Sequence, residues 1–174
     1  IIRDNFTWDT SINFTFQRSV VKSLPNDNAD ISYGDGGMYI HRVGESMYSF
    51  YLPVWNGVNP ENGLGEFLVD PADPSKGVTN WYSEAGSAIV GKAIPDFTGG
   101  ITNTMTFLRG MIDLSFLITF QSGGSLFDYP GYFTHNDGFR AATMNSAADA
   151  ADYWTPENKD AAFPKPIMNN PYRW

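Results

Sequence analysis

Two segments of the chain alternate apolar and polar residues over ten or more consecutive positions. From residue 6 to 17 the even positions hold Phe, Trp, Thr, Ile, Phe and Phe, and the odd positions hold Thr, Asp, Ser, Asn, Thr and Gln. From 112 to 121 the even positions are again apolar, and the odd ones are polar except Leu117. Because successive side chains of a strand point to opposite faces, this pattern predicts long strands with one oily and one wet face.

A third run, residues 97–107, comes shortly before the second long run. Its apolar residues fall on odd positions and its threonines on even ones, and only Asn103 departs from the pattern. Residues 108–110 separate the two runs, and Gly110 can take a positive φ without a steric penalty. The sequence therefore predicts a long hairpin closed by a tight turn.

Two weaker strands and one long connection complete the secondary-structure prediction. Residues 47–56 carry apolar side chains on even positions, although Pro53 cannot donate to a sheet. A short further strand is predicted at 66–69, and a short helix within 141–153. We therefore expect an all-β fold, with main strands at about 5–17, 47–56, 97–107 and 111–121 and a long loop at about 122–171.

The length of these strands bears on the environment of their oily face. A strand of ten to twelve residues is roughly 33–40 Å long. Tilted by about 40°, it spans roughly 25–30 Å, which matches the apolar band of a transmembrane β-barrel. The wet rows hold mostly uncharged polar residues, which suits a hydrated lumen. A soluble β-sandwich or lipocalin-like barrel remains open as an alternative on this pattern alone.

In the membrane interpretation, the oily rows face lipid. The residues predicted to do so belong to the two clearest runs. They are Phe6, Trp8, Ile12, Phe14 and Phe16 in the first, and Ile112, Leu114, Phe116, Ile118 and Phe120 in the second.

Composition excludes some other classes of function. The formal net charge is -8 and the 11 basic residues form no cluster, so a nucleic-acid partner is not expected. The chain has no cysteine, which rules out disulfides and cysteine-ligated zinc within it. Its two histidines, His41 and His135, lie far apart without a ligand motif. We predict no catalytic residue, no metal site and no cofactor.

Aromatic residues are abundant, at 16% of the chain, and several fall in the long loop. We consider Tyr129, Tyr132, Phe133, Tyr153 and Trp154 as candidates for contact with a ligand or a partner. The alternative is internal packing of the long loop against the barrel rim, or contact of these rings with lipid headgroups.

Several phrases of the sequence resemble one family in the same order. Residues 43–51 (VGESMYSFY) and 55–63 (WNGVNPENG) resemble the "VGxPxGxFYGYxWxGVDPxTG" stretch of SusC/RagA TonB-linked outer-membrane proteins. Residues 91–100 (GKAIPDFTGG), with Asn103, Gly110 and 113–116, resemble that family's "GxxxPxFxGGxxNxxxYKGFDLSF" hairpin. Later phrases also match, namely Gly123-Gly124, Asp128-Tyr129, 154–158 (WTPEN) and 163–166 (FPKP). Met111-Ile112 and Met47-Tyr48 depart from glycine-containing pairs of the family but keep the strand pattern.

The resemblance implies a segment of a large antiparallel barrel of about 22 strands with a plugged lumen and long extracellular loops. It implies import of glycans or peptides across the bacterial outer membrane, driven through TonB and assisted by a SusD-like surface lipoprotein. A closed barrel needs at least about eight strands, so we expect a C-terminal part of a longer chain, without the plug, the TonB box and the final strands. The alternative is a soluble extracellular β-sandwich that binds glycan.

Overall fold

A computed structural model describes residues 2–3, 5–135, 137–140 and 143–172. Eleven strands lie within these residues. They are β1 (Ile2–Arg3), β2 (Phe6–Phe16), β3 (Ile31–Tyr33), β4 (Tyr39–His41), β5 (Ser49–Pro53), β6 (Trp55–Val58), β7 (Gly65–Leu68), β8 (Val78–Thr79), β9 (Ser87–Lys92), β10 (Phe97–Phe107) and β11 (Ile112–Ser122).

Helical segments are short. They are α1 (Pro25–Asn28), α2 (Tyr129–Thr134) and 3-10 turns at Asp35–Gly37, Pro74–Lys76, Tyr82–Glu84 and Ala148–Ala151. The helix predicted within 141–153 is thus only the turn at Ala148–Ala151, and Ala141 and Ala142 lie outside the described residues. Within the described ranges, no helix is long and apolar enough to cross a membrane.

The strands form three sheets with the orders β1-β2-β10-β11, β3-β4-β5-β9 and β6-β7-β8. The chain divides into two compact units. The first unit comprises Ile1–Ile31, Ile40–Ser49 and Gly91–Ser125, and the second comprises Ser32–Tyr39, Phe50–Val90 and Leu126–Trp174.

The first unit is organised by three strands of 11 residues each, with β10 between β2 and β11. Every residue of β10 pairs in unbroken antiparallel register with both neighbours, from Phe97 opposite Phe16 and Ser122 to Phe107 opposite Phe6 and Ile112. These strands lie within one residue of the bounds expected from the alternation. The predicted hairpin is present between β10 and β11.

The hairpin turn uses three successive residues with positive φ. Gly110 has a φ of 92°, as its freedom from a Cβ allows, but Leu108 and Arg109 also have φ of 54° and 59°. Hydrogen bonds from the Gly110 amide to the Phe107 carbonyl, at 3.1 Å, and from the Leu108 amide to the Asn5 carbonyl, at 2.9 Å, hold this backbone. The left-handed conformation of the two non-glycine residues was not predicted.

The register aligns the oily rows of the three strands on one face. Cross-strand rows on this face include Trp8–Met105–Leu114 and Ile12–Ile101–Ile118. The opposite face carries Thr7–Thr106–Asp113, Asp9–Thr104–Ser115 and Asn13–Gly100–Thr119. The sheet is therefore two-faced over its full length.

The oily face is exposed. Phe14, Phe16 and Phe116 are 57%, 79% and 40% exposed, and Phe120 is half-buried beneath neighbouring rings of the same face. A β-sandwich would bury these side chains against a second sheet. The observed fold is therefore an antiparallel sheet with a long exposed apolar face, and not a β-sandwich.

Two positions on the oily face explain departures from the apolar pattern. Asn103 is 7% exposed, and its Oδ1 accepts hydrogen bonds from Trp8 Nε1 at 3.0 Å and Thr10 Oγ1 at 2.9 Å. Gly99 lies between Phe14 and Phe120, whose rings meet across it at a centroid distance of 5.4 Å. A Cβ at Gly99 would lie 2.5 Å from the Phe120 ring.

The strand predicted at 47–56 is two strands, and this corrects the prediction. β5 ends at Pro53, which has no amide hydrogen to donate. The next residue changes partners, because the Val54 amide donates to the Gly86 carbonyl at 3.2 Å and the Val54 carbonyl accepts from the Leu68 amide at 2.9 Å. Trp55 then begins β6, which pairs with β7. The short strand predicted at 66–69 is β7, shifted by one residue.

Candidate functional site

Two surfaces carry most of the predicted functional residues. One is the oily face of the β2-β10-β11 sheet. The other is an aromatic cavity within the second unit.

On the oily face, seven of the residues predicted to face lipid are at least 40% exposed, namely Ile12, Phe14, Phe16, Ile112, Leu114, Phe116 and Ile118. Phe6, Trp8 and Phe120 are half-buried by their neighbours. A half-exposed large side chain presents roughly 100 Å². Seven of them amount to about 700 Å², more than the roughly 300–600 Å² of the largest apolar patch on an ordinary soluble monomer. A patch of this size is typical of a surface that meets lipid or another apolar partner.

Pairs of aromatic rings lie at both ends of the oily face, measured along the strands. Phe6 and Phe107 pack together at one end, with ring centroids 5.1 Å apart. Phe16 and Phe97 pack together at the other end, at 6.0 Å. The row Ile12–Ile101–Ile118 lies between these ends and is aliphatic. Other rings, such as Phe116 and Phe14, also lie between the ends, but an aromatic pair at each end is typical of a barrel wall between two membrane interfaces.

The aromatic cavity is formed around α2. Asp128 caps this helix, accepting a hydrogen bond from the Gly131 amide at 2.9 Å, and Pro130 fits the first turn, where its missing amide hydrogen is not needed. The cap orients Tyr129, Tyr132 and Phe133, whose rings contact one another at centroid distances of 5.0 to 6.3 Å. Three of the five candidate ligand-contact residues are thus brought together.

Phe127 joins this cluster to the interior of the unit. Its ring lies 6.1 Å from Tyr129, 6.0 Å from Tyr132 and 6.5 Å from Phe50, which is itself buried. The Arg140 guanidinium lies over Phe133 at 4.7 Å, within the range of a cation–π interaction.

A cavity of about 160 Å³ opens between these rings and residues 35–38 and 52–53 of the same unit. Its lining is mostly apolar and aromatic, with one acidic and one basic residue. The lining residues are Asp35, Gly36, Met38, Leu52, Pro53, Tyr82, Phe127, Tyr129, Tyr132, Phe139 and Arg140. Sequence reasoning identified Tyr129 and Tyr132 but missed the others, because they come from segments as far apart as residues 35 and 140.

Tyr153 and Trp154 do not line this cavity. Trp154 packs on Gly63, where a Cβ would come within 2.4 Å of its ring, and its Nε1 donates to the Pro60 carbonyl at 3.0 Å. The Trp154 amide donates to the Phe163 carbonyl at 2.9 Å. These contacts join the loop around residue 154 to the loop that contains Pro60 and Gly63, so Trp154 packs against protein here.

His135, the residue after α2, makes one polar contact and one ring contact. The His135 Nε2 lies 2.9 Å from Asp149 Oδ1, and this hydrogen bond holds the pKa of Asp149 below its ordinary value. The His135 ring also stacks on Phe163, with 5.3 Å between centroids. In the part of the chain that the structure describes, no cluster of three metal-ligating side chains occurs.

Comparison with known proteins identifies relatives that are similar to this chain in sequence. TonB-dependent receptor P3 of Formosa agariphila is 28% identical over an alignment of 183 positions, which covers 97% of this chain and 18% of the receptor. TonB-dependent receptor P26 of the same organism is 25% identical and is matched over 93% of this chain and 17% of the receptor. Over nearly its whole length, the chain is similar to one segment of these TonB-dependent receptors. No family model matches it.

Solved structures give the same relationship for the fold. The RagAB peptide transporter superposes with a TM-score of 0.81 over 99% of this chain and 19% of the transporter chain, at 20% identity. The RagAB peptide importer in its open-open state superposes with a TM-score of 0.80 at 20% identity, over 99% of this chain and 18% of that chain. The SusC/RagA resemblance and the barrel-segment fold expected from the sequence are confirmed. The outer-membrane location is confirmed as well.

The chain spans less than a fifth of the length of the receptors and transporter chains that it matches. Its relatives carry the names of receptors and transporters rather than enzymes.

Proposed function

We propose that this sequence forms part of the barrel wall of a TonB-dependent importer of peptides or glycans. The observation that carries the proposal is the unbroken register of β2, β10 and β11, which gives one exposed apolar face and one polar face. In this proposal the apolar face meets lipid and the polar face lines the lumen.

The dimensions support this orientation. Phe6 and Phe16 are ten residues apart on β2, or about 33 Å along the strand. With a tilt of about 40°, the aromatic ends are separated by roughly 25 Å across the bilayer, the height of the apolar band in such barrels. The aromatic ends would then lie at the two interfaces and the isoleucine row near the midplane.

The remaining parts of the importer would come from elsewhere in a longer polypeptide and from partners. A plug and further strands would complete the barrel, TonB would supply the driving force, and a SusD-like surface lipoprotein would help to capture the ligand. The RagAB relative is described as a peptide transporter, which supports a peptide or similar polymer as cargo. The long loop at about 122–171 would be extracellular, with Tyr129, Tyr132 and Phe133 in contact with ligand or partner.

A pair of adjacent substitutions in the full-length polypeptide tests the wall orientation. Ile118 lies on the apolar face, opposite Ile101, and Thr119 lies on the other face, opposite Gly100. A lysine facing lipid near the midplane costs about 2–4 kcal/mol. We therefore expect Ile118→Lys to reduce outer-membrane assembly and TonB-dependent uptake strongly, and Thr119→Lys to leave assembly intact.

Assembly is measured by heat-modifiable mobility of the receptor from purified outer membranes. Uptake is measured with fluorescent peptides and glycans in cells with and without TonB. Equal tolerance of both lysines would refute the lipid-facing assignment. Normal uptake without TonB would refute the energised-importer part of the proposal.

A further inference from the structure

We propose that the aromatic cavity of the second unit accepts one large apolar side chain of a peptide ligand. The inference rests on the proposed import function and narrows its cargo from peptides or glycans to peptides that carry a Phe- or Leu-sized side chain.

The volume of the cavity matches one side chain. It measures about 160 Å³. An apolar cavity of about 150 Å³ is known to hold a single benzene molecule. A phenylalanine or leucine side chain therefore fits, whereas two residues or a disaccharide do not.

The chemistry of the lining favours an apolar group over a sugar. Met38, Leu52 and Pro53 contribute aliphatic walls, and Phe127 and Phe139 contribute rings without hydroxyl groups, whereas three tyrosines, Tyr82, Tyr129 and Tyr132, bring one hydroxyl each. A monosaccharide brings several hydroxyls, and each one buried without a partner costs free energy. An apolar side chain has no such requirement and gains free energy from the area that it buries.

The charges of the lining suit the backbone of a peptide. Asp35 and Arg140 place one negative and one positive group in the same lining. A short peptide presents amide donors and carbonyl acceptors, and its ends carry opposite charges, whereas a neutral glycan presents no charge. Two opposite charges in one lining therefore suit the ends of a short peptide better than a neutral glycan, and Arg140 keeps its contact with the Phe133 ring.

The cavity is held in shape by packing behind it. Phe127 rests on Phe50, which also contacts Tyr39 at a centroid distance of 5.1 Å. The Met38 carbonyl accepts a hydrogen bond from the Tyr51 amide at 2.8 Å, which fixes the backbone beneath its side chain. A preformed cavity loses less conformational freedom on binding, which favours affinity.

The test uses the full-length receptor that carries this sequence, purified in detergent, with binding measured by calorimetry. The probes are Gly-Phe-Gly, Gly-Ser-Gly and maltotriose. We expect Gly-Phe-Gly to bind roughly tenfold to a hundredfold more tightly than Gly-Ser-Gly, as the burial of one phenylalanine side chain implies. Met38→Trp fills the cavity and is expected to abolish that difference.

Met168→Trp is the matched control, because Met168 is 72% exposed and does not line the cavity. It should preserve the preference for Gly-Phe-Gly. If Met38→Trp does not fold, Met38→Ala provides a second test, since the enlarged cavity should shift preference from Gly-Phe-Gly toward Gly-Trp-Gly.

Three results would overturn the inference. These are an unchanged preference in Met38→Trp, tighter binding of maltotriose than of Gly-Phe-Gly, and loss of co-purification with a surface lipoprotein in Met38→Trp while peptide binding persists. The last result would make the cavity a protein-docking site. None of these results bears on assembly or TonB-dependent uptake. The import proposal is therefore tested independently, by the measurements of assembly and uptake described above.

Discussion

Replacing Asn103 by leucine tests whether the oily face lies in lipid. Asn103 is the polar residue at the middle of β10, on the same face as Thr10 and Phe116. Its carbonyl oxygen is the acceptor for the Trp8 indole N–H and the Thr10 hydroxyl. Leucine has a similar size but no acceptor, so both donors lose this partner at once.

The expected cost follows from the two hydrogen bonds. A donor that loses its acceptor in apolar surroundings costs about 1–3 kcal/mol, because no water replaces the lost partner. Two donors give roughly 2–6 kcal/mol, and the favourable transfer of leucine into lipid offsets part of this. We expect a loss of about 2–4 kcal/mol for Asn103→Leu.

The triple variant Trp8→Phe, Thr10→Val and Asn103→Leu should recover most of that stability, since it removes both donors together with the acceptor that they share. Thr104→Val is the matched control on the polar face, where the Thr104 hydroxyl lies 3.3 Å from that of the exposed Ser115. It should change stability by less than about 0.5 kcal/mol.

The assay is guanidinium-induced unfolding of the full-length receptor in lipid vesicles, monitored by tryptophan fluorescence. Variants are compared by the midpoint of unfolding, with the dependence of the unfolding free energy on guanidinium concentration held at one value for all of them. A loss below about 1 kcal/mol for Asn103→Leu would contradict the assignment of this face to lipid. A triple variant less stable than the single one would do so as well.

Three further predictions concern packing, pH and the contact of Trp154 with the loop that contains Pro60 and Gly63. Gly99→Ala should destabilise the assembled barrel by about 1–3 kcal/mol in the same assay, because the new Cβ would overlap the Phe120 ring. Gly100→Ala should be nearly neutral, since its Cβ would have no contact nearer than 3.4 Å. Equal effects of the two substitutions would contradict this packing. Hydrogen bonds from the Arg42 guanidinium lower the pKa of Asp30 in the folded protein. Their contribution to the free energy of unfolding is therefore complete above about pH 3.9, the pKa of an unperturbed Asp, and is lost as the pH falls through the lower pKa of the folded state. The exposed pair is worth less than about 1 kcal/mol, and Asp30→Asn should remove this acid-dependent part of the thermal midpoint; an unchanged acid dependence would count against it. Trp154→Phe removes the hydrogen bond to the Pro60 carbonyl and should speed limited proteolysis between residues 152 and 165, and unchanged cleavage would show that this contact does not hold the two loops together.

The long strands could be predicted from the sequence because their signal is local. Each of β2, β10 and β11 repeats its period over 11 residues, and Gly110 marks the turn between two of them. The phrases shared with the SusC/RagA family identified the relationship for the same reason, since they survive in order along the chain.

Other features depend on partners distant in sequence. Asn103 looks misplaced on an oily row until Trp8, 95 residues away, is brought beside it. The strands β3, β4 and β8 have two or three residues, too few to show a period, and β9 is interrupted by Gly91. The division at Val54 follows from hydrogen bonds to Gly86 and Leu68 that no local pattern encodes.

The cavity shows the same limit. The aromatic segment around Tyr129 drew attention by composition, but Met38, Leu52 and Tyr82 carry no signal that links them to it. Trp154 shows the opposite error, because the sequence singled it out as a candidate for ligand contact, whereas its ring packs on Gly63 and its indole N–H donates to the Pro60 carbonyl.

The most direct test of the barrel-wall account is a cysteine scan of residues 12–15 in β2, in full-length receptor with no other cysteine. Each cysteine is labelled with a fluorophore, and quenching by brominated lipids in vesicles is measured. Positions 12 and 14 should be quenched strongly, and positions 13 and 15 should respond instead to iodide in the water phase. Uniform quenching at all four positions, or the reverse alternation, would contradict the account.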